Sequence, residues 1–189
     1  GSGLPKFVSQ IPKLRQTSKV DKLKSMKEAD QNMYKSGIVA VGDISNTTES
    51  LSIKKNSAMR YHSFVELFGL DKNKAEDLLR DGLKIVEEYR SFNLSACLVP
   101  HAPYSLSPQL LEKIYSNSDD QLLTIHYQET ASEKELFLDS KGDLAELFIA
   151  KGLDLSSQLK SGLNSAQYAL LPYLAKKQKL LLVHNTFSE

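Results

Sequence analysis

The chain has 189 residues, 41% of them hydrophobic and 25% charged, with a net charge of +1. That length supports one domain with a proper core, and the near-neutral balance excludes the basic surface of a nucleic-acid binder. No window approaches the roughly 18 apolar residues of a membrane span, and Gly1 to Leu14 has no apolar core of the signal-peptide kind.

In chain order, Val20, Leu23, Met26, Met33 and Tyr34 form an apolar stripe at helical spacing, with Gly37 placed to cap its carboxyl end. The apolar run "GIVAVGD" (37–43) follows and ends in Asp43. A longer mixed run, "MRYHSFVELFG" (59–69), holds His62 in its interior, where a histidine reads as structural. Asp71 is positioned to cap a long helix whose stripe is Ala75, Leu78, Leu79, Gly82, Val86 and Tyr89. "ACLVPH" (96–101) is the next run. It contains the single cysteine, Cys97, which reads as a small buried hydrophobe in a reducing, cytoplasmic setting.

Ser107-Pro108 opens another helix, with proline at its tolerated first position. "LLTIH" (122–126) is a strand, and Thr130 with Glu133 matches a capping box for the helix after it; Glu135 reads as solvated surface. Asp143 to Ala150 is predicted to be a short helix, and Ser165 to Leu171 another that Pro172 should bend or end. "KLLLVHN" (179–185) is the last run. Apolar runs without alternation are strands covered on both faces, so the order of elements predicts an α/β chain with a parallel sheet and right-handed crossovers.

Three of the four histidines, His101, His126 and His184, end three different strands. In parallel α/β folds that edge is where ligands bind. Taken singly, each is also what a hydrogen-bonded loop residue would look like, and Glu129 is also what first-turn compensation of a helix dipole would look like. Imidazoles at strand ends suit a borderline metal such as zinc, and a nearby carboxylate can take a proton from a water whose pKa the metal lowers to about 7. His101, His126, Glu129 and His184 therefore read as part of a metal-hydrolase site.

"VPHAPYSLSPQLL", "TIHYQETASEKELF" and "LLLVHNT" closely resemble the middle of amidohydrolase-superfamily enzymes, in the branch of chlorohydrolases and of cytosine- and adenosine-type deaminases. The likeness runs from about Gly37 to the last residue. It implies a (β/α)₈ barrel of which this chain supplies about five parallel strands, the second to the sixth, with outer helices. By the same resemblance His126 would be a metal ligand, Glu129 and His184 catalytic, and His101 a substrate contact. Glu129 would shuttle protons, and His184 would polarise or orient the hydrolytic water or, as in some relatives, bind metal. The implied cofactor is a divalent metal, zinc above all, and the implied reaction is attack by a metal-activated water on a C–N or C–Cl bond of a small ring substrate.

The family's H-x-H pair at the first strand is missing, as is its aspartate at the eighth. The expectation for residues 1–189 is thus an incomplete barrel domain, without the first strand, the last two strands or the small β domain. "GSGLP" at the start, with no methionine, fits an excised piece. Such a piece is expected to be inactive alone, to bind metal weakly, and to self-associate through its open edges. The competing expectation is a non-catalytic α/β ligand-binding or assembly module, although "GDISNTT" is no phosphate loop. Geometry separates them, because only the first requires the three imidazoles to converge.

Overall fold

The fold is described from a computed structural model, which covers residues 19–118, 121–153, 155, 163–174 and 179–188. Helix α1 spans Lys19–Lys35, and Gly37 caps its end at φ 90°, donating to the Tyr34 carbonyl over 2.9 Å. Only glycine takes that conformation without strain. Leu23, Met26 and Met33 are half-buried and Tyr34 is exposed, so α1 lies at the periphery.

Strand β1 is Ala40–Ile44, followed by helix α2 at Leu51–Asn56 and strand β2 at Arg60–Leu67. The sequence pattern predicts no helix between the first two strands; α2 is short and Lys-rich, and its periodicity is too brief to register. A 3₁₀ turn at Lys72–Lys74 leads into α3, Ala75–Ser91. Asp71 caps that turn, accepting from the Asn73 amide over 3.0 Å, rather than the helix proper. The predicted stripe on α3 is right: Ala75, Leu79, Gly82, Val86 and Tyr89 are buried against the sheet. A Cβ at Gly82 would stand 2.7 Å from Leu67 and 2.8 Å from Leu98, so this glycine is what lets the helix lie close.

Strand β3 is Ser95–Pro100, and helix α4, Pro108–Ser116, begins as expected with Ser107 accepting from the Leu110 amide. Strand β4 is Leu122–Tyr127 and α5 is Ala131–Asp139. Here the capping-box expectation fails. Thr130 makes no side-chain cap bond, and Glu133 is fully buried. Helix α6 is Asp143–Ala150 as predicted. Helix α7, Ser165–Ala169, gives way at Leu170 to a second turn, α8, at Leu171–Leu174 that contains Pro172. Strand β5 is Lys179–His184.

Among the described residues all ladder pairings are parallel, in two groups: β1-β2-β3 and β4-β5. Strand β3 lies beside β4 without a continuous ladder, joined at the top by the His126 amide donating to the His101 carbonyl over 2.8 Å. The core runs through both groups, from Phe64, Val65, Leu98 and Val99 to Leu123 and Ile125. Parallel strands backed by helices match the coarse α/β expectation; the described residues hold five strands, with hydrogen bonding between them interrupted once.

Candidate active site

Four strands converge their carboxyl ends on one cluster. Strand β2 contributes Glu66, whose side chain is buried and whose amide donates to Asn46 Oδ1 over 2.8 Å. Strand β3 runs into His101, and the 3₁₀ turn Pro103–Ser105 folds back beneath it. Ser105 Oγ lies 2.9 Å from His101 Nδ1, accepts from the Ala102 amide, and donates to the Ala102 carbonyl, so the turn and the imidazole are locked together. Strand β4 delivers His126 and, just beyond it, Glu129; strand β5 delivers His184.

The three strand-end histidines meet. Ring centroids of His101 and His126 are 5.1 Å apart, and those of His126 and His184 are 5.3 Å apart and stacked. His126 Nδ1 is 3.3 Å from His184 Nε2, while its Nε2 is 2.9 Å from Glu66 Oε1. Glu129 is held at both oxygens: Oε2 lies 3.3 Å from His184 Nε2, and Oε1 accepts from the Tyr104 hydroxyl. His62, by contrast, sits toward the other end of β2, where its nitrogens meet Ser95 Oγ at 2.6 Å and Cys97 Sγ at 3.3 Å. Cys97 is buried, and burial pushes its thiol up to about 12. Asp43 turns away to pair with Lys54 at 2.6 Å, so it takes no part in the cluster.

The electrostatics differ residue by residue. Hydrogen bonding to Glu66 raises the proton affinity of His126, against the opposing effect of burial. Burial lowers that of His101, with Glu66 partly compensating. Tyr104 is held strongly protonated, by burial first and by its bond to Glu129 second. A buried imidazole kept neutral is a better ligand and acceptor than an imidazolium.

Glu66, His101 and His126 each offer a ligand atom, and those atoms lie within 4.8 Å of one another. Glu66 Oε1 is buried, and the group it faces is His126 Nε2 at 2.9 Å. A carboxylate oxygen with free lone pairs facing two imidazoles is a donor set that fits a divalent cation. Sequence reading missed Glu66. Its signal was a single carboxylate inside the apolar "FVELF", where a charge without a purpose is costly.

In parallel α/β folds, ligands bind at the carboxyl ends of the strands, which is where carboxylates and imidazoles gather here. No family model matches the chain. The chain is 34% identical over 124 residues to an adenosine deaminase of Helicobacter pylori, a match covering 62% of this chain and 30% of that protein. It is also similar to the crystal structure of Helicobacter pylori aminofutalosine deaminase, with a TM-score of 0.67 and 25% identity, over 86% of this chain and 42% of that one. The same enzyme in complex with methylthio-coformycin matches with a TM-score of 0.67 over 40% of its length. The chain therefore spans well under half the length of these relatives. Its resemblance to amidohydrolase-type deaminases, carried in the sequence by the "HAPY", "HYQET" and "VHNT" motifs, holds in both sequence and structure.

Proposed function

We propose that this chain forms the central part of the catalytic barrel of a metal-dependent deaminase, which replaces a ring amino group by oxygen on an adenine-type nucleoside or a close relative. The observation that carries this reading is the convergence of Glu129, His126 and His184 at the ends of β4 and β5. The deaminase relatives support cleavage of C–N over C–Cl bonds, and the coformycin analogue bound by one of them supports a nucleoside-like substrate.

In this reading Glu129 takes a proton from the attacking water and returns it to the departing amino group, which leaves as ammonia. His184, held against Glu129 Oε2, orients the water. His101 has Nδ1 tied to Ser105 and turns its other edge to the substrate. His126 and Glu66 would be this chain's donors to a divalent cation, zinc being well suited to such a set. Bound there, the cation supplies the positive charge that makes a water acidic near neutral pH.

The low coverage of the relatives supports an incomplete barrel, with the remaining metal ligands and strands supplied by the rest of a longer protein. Strands β1 and β5 are edges of their groups and carry exposed Ile44 and Leu181, which favours self-association of the 189-residue chain. Light scattering that finds a monomer at working concentration contradicts the association.

The test of function is ammonia release from a panel of adenine-type nucleosides by the full-length protein, with and without a chelator. Activity should need metal and should fall at least about a hundredfold in Glu129→Gln, the usual scale for removing an acid–base group. Activity unaffected by that change, or no release from any nucleoside, overturns the proposal.

A further inference from the structure

We infer that Tyr104 is a positioning residue that fixes the orientation of the Glu129 carboxylate; this rests on the proton-shuttle reading of Glu129 given above. A carboxylate on a flexible side chain can present either oxygen in many directions, and proton transfer is efficient only in a narrow range of geometries. Here the two oxygens are divided. Oε1 accepts from the Tyr104 hydroxyl, and Oε2 faces His184. With Oε1 occupied, the carboxylate cannot spin, and Oε2 is left on the side where His184 would hold a water.

Tyr104 is itself well fixed. It is 9% exposed and lies in the turn Pro103–Ser105, which the Ser105 hydroxyl clasps to His101 and Ala102. The same five residues, "HAPYS", therefore present one imidazole and one phenol to the site from a single rigid turn. Phe148 and His101 both pack near the phenol, with ring centroids 6.5 and 6.2 Å from it. The phenol keeps its proton, since burial and the neighbouring carboxylates strongly favour the neutral form. It acts as a fixed donor, with no transfer step of its own. A phenol serves better than a serine here because its hydroxyl stands at the end of a rigid ring that packing can hold.

The experiment compares wild type with Tyr104→Phe, which keeps the ring and removes only the hydroxyl, and with Tyr61→Phe as a control. Tyr61 donates to Asp30 over 2.8 Å at the far end of β2, so its loss tests stability alone. In protein labelled at the glutamate carboxyl carbon, the Glu129 resonance is assigned by its disappearance in Glu129→Gln. It should move in Tyr104→Phe and stay in place in Tyr61→Phe. In the full-length enzyme, Tyr104→Phe should lower kcat about tenfold or more with KM changed less than about twofold, because an interaction with the shuttle and not with bound substrate is lost. An unmoved Glu129 resonance overturns the inference, as does a moved resonance with unchanged kcat, or a rise in KM alone. Absence of deamination in wild type would sink the function proposed above while leaving the resonance to decide whether Tyr104 orients Glu129.

Discussion

Glu66 and His126 belong to β2 and β4, strands separated by β3, yet Glu66 Oε1 and His126 Nε2 lie 2.9 Å apart. The two side chains reach across the carboxyl end of β3, and that contact draws the sheet's two hydrogen-bonded groups onto one site. Because Glu66 raises the proton affinity of His126, the pair contributes stability that is fully present below the ordinary value of 6.5 and is lost as pH rises through the elevated one. Glu66→Gln should bring the His126 midpoint down, measured by titrating the imidazole resonances. A midpoint equal to wild type would show that the Glu66 carboxylate does not set it.

Glu133 is fully buried, and burial pushes its carboxyl up to about 7 against the opposing effect of the Gln128 backbone and the Ser165 hydroxyl beside it. An acid whose folded value is raised costs nothing below its unfolded value of 4.5; the cost grows as pH climbs from there to about 7 and levels off above it. Glu133→Gln, which mimics the neutral acid, should therefore stabilise the protein at pH 8 by about 2–3 kcal/mol and have little effect near pH 4.5. Thermal midpoints across that range decide it. A variant destabilised at every pH would mean that the carboxylate is needed as a charge.

Lys54 Nζ is buried among Asp43 Oδ2 at 2.6 Å, Ser45 Oγ at 2.6 Å and Ser63 Oγ at 2.8 Å, with the Tyr89 ring 4.8 Å away. Removing its counter-charge strands a cation, whereas removing the cation leaves only hydroxyls and a partly exposed carboxylate. Asp43→Asn should thus cost about 2–3 kcal/mol in denaturant unfolding and Lys54→Met clearly less. The opposite ranking would show that Lys54 is held by the rings and serines alone.

Cobalt or zinc titration of the chain should show weak binding that Glu66→Gln and His126→Gln each reduce by about tenfold or more. His101→Gln should reduce it less, since that ring is assigned to substrate. Equal losses for all three would place His101 among the ligands.

The strands and their parallel order were legible because a short, continuous apolar run between polar turns is seldom anything but a strand covered on both faces. The three histidines were legible because each stood at the end of such a run. What escaped the sequence was whatever depends on distance across the fold. Glu66 sits in a mixed run whose meaning appears only when β2 and β4 are seen together. Glu133 matches a capping pattern that three-residue spacing predicts, but tertiary burial overrides it. Tyr104 follows a proline in a turn, and nothing local shows that its hydroxyl reaches a carboxylate 25 positions on. The break between β3 and β4 was also invisible, because strand pairing is a property of neighbours and not of a run.

The exits of β4 and β5 share a peculiarity of backbone. Gln128, His184 and Asn185 all have left-handed φ angles, of 45°, 72° and 51°, and the Asn185 and Thr186 amides donate to the Tyr127 and Gln128 carbonyls. The segment that aims Glu129 and the segment that carries His184 are in effect riveted together. Loop grafting or directed evolution that retunes one of them should therefore exchange both as a cassette, since replacing either alone would leave mismatched halves at the seam.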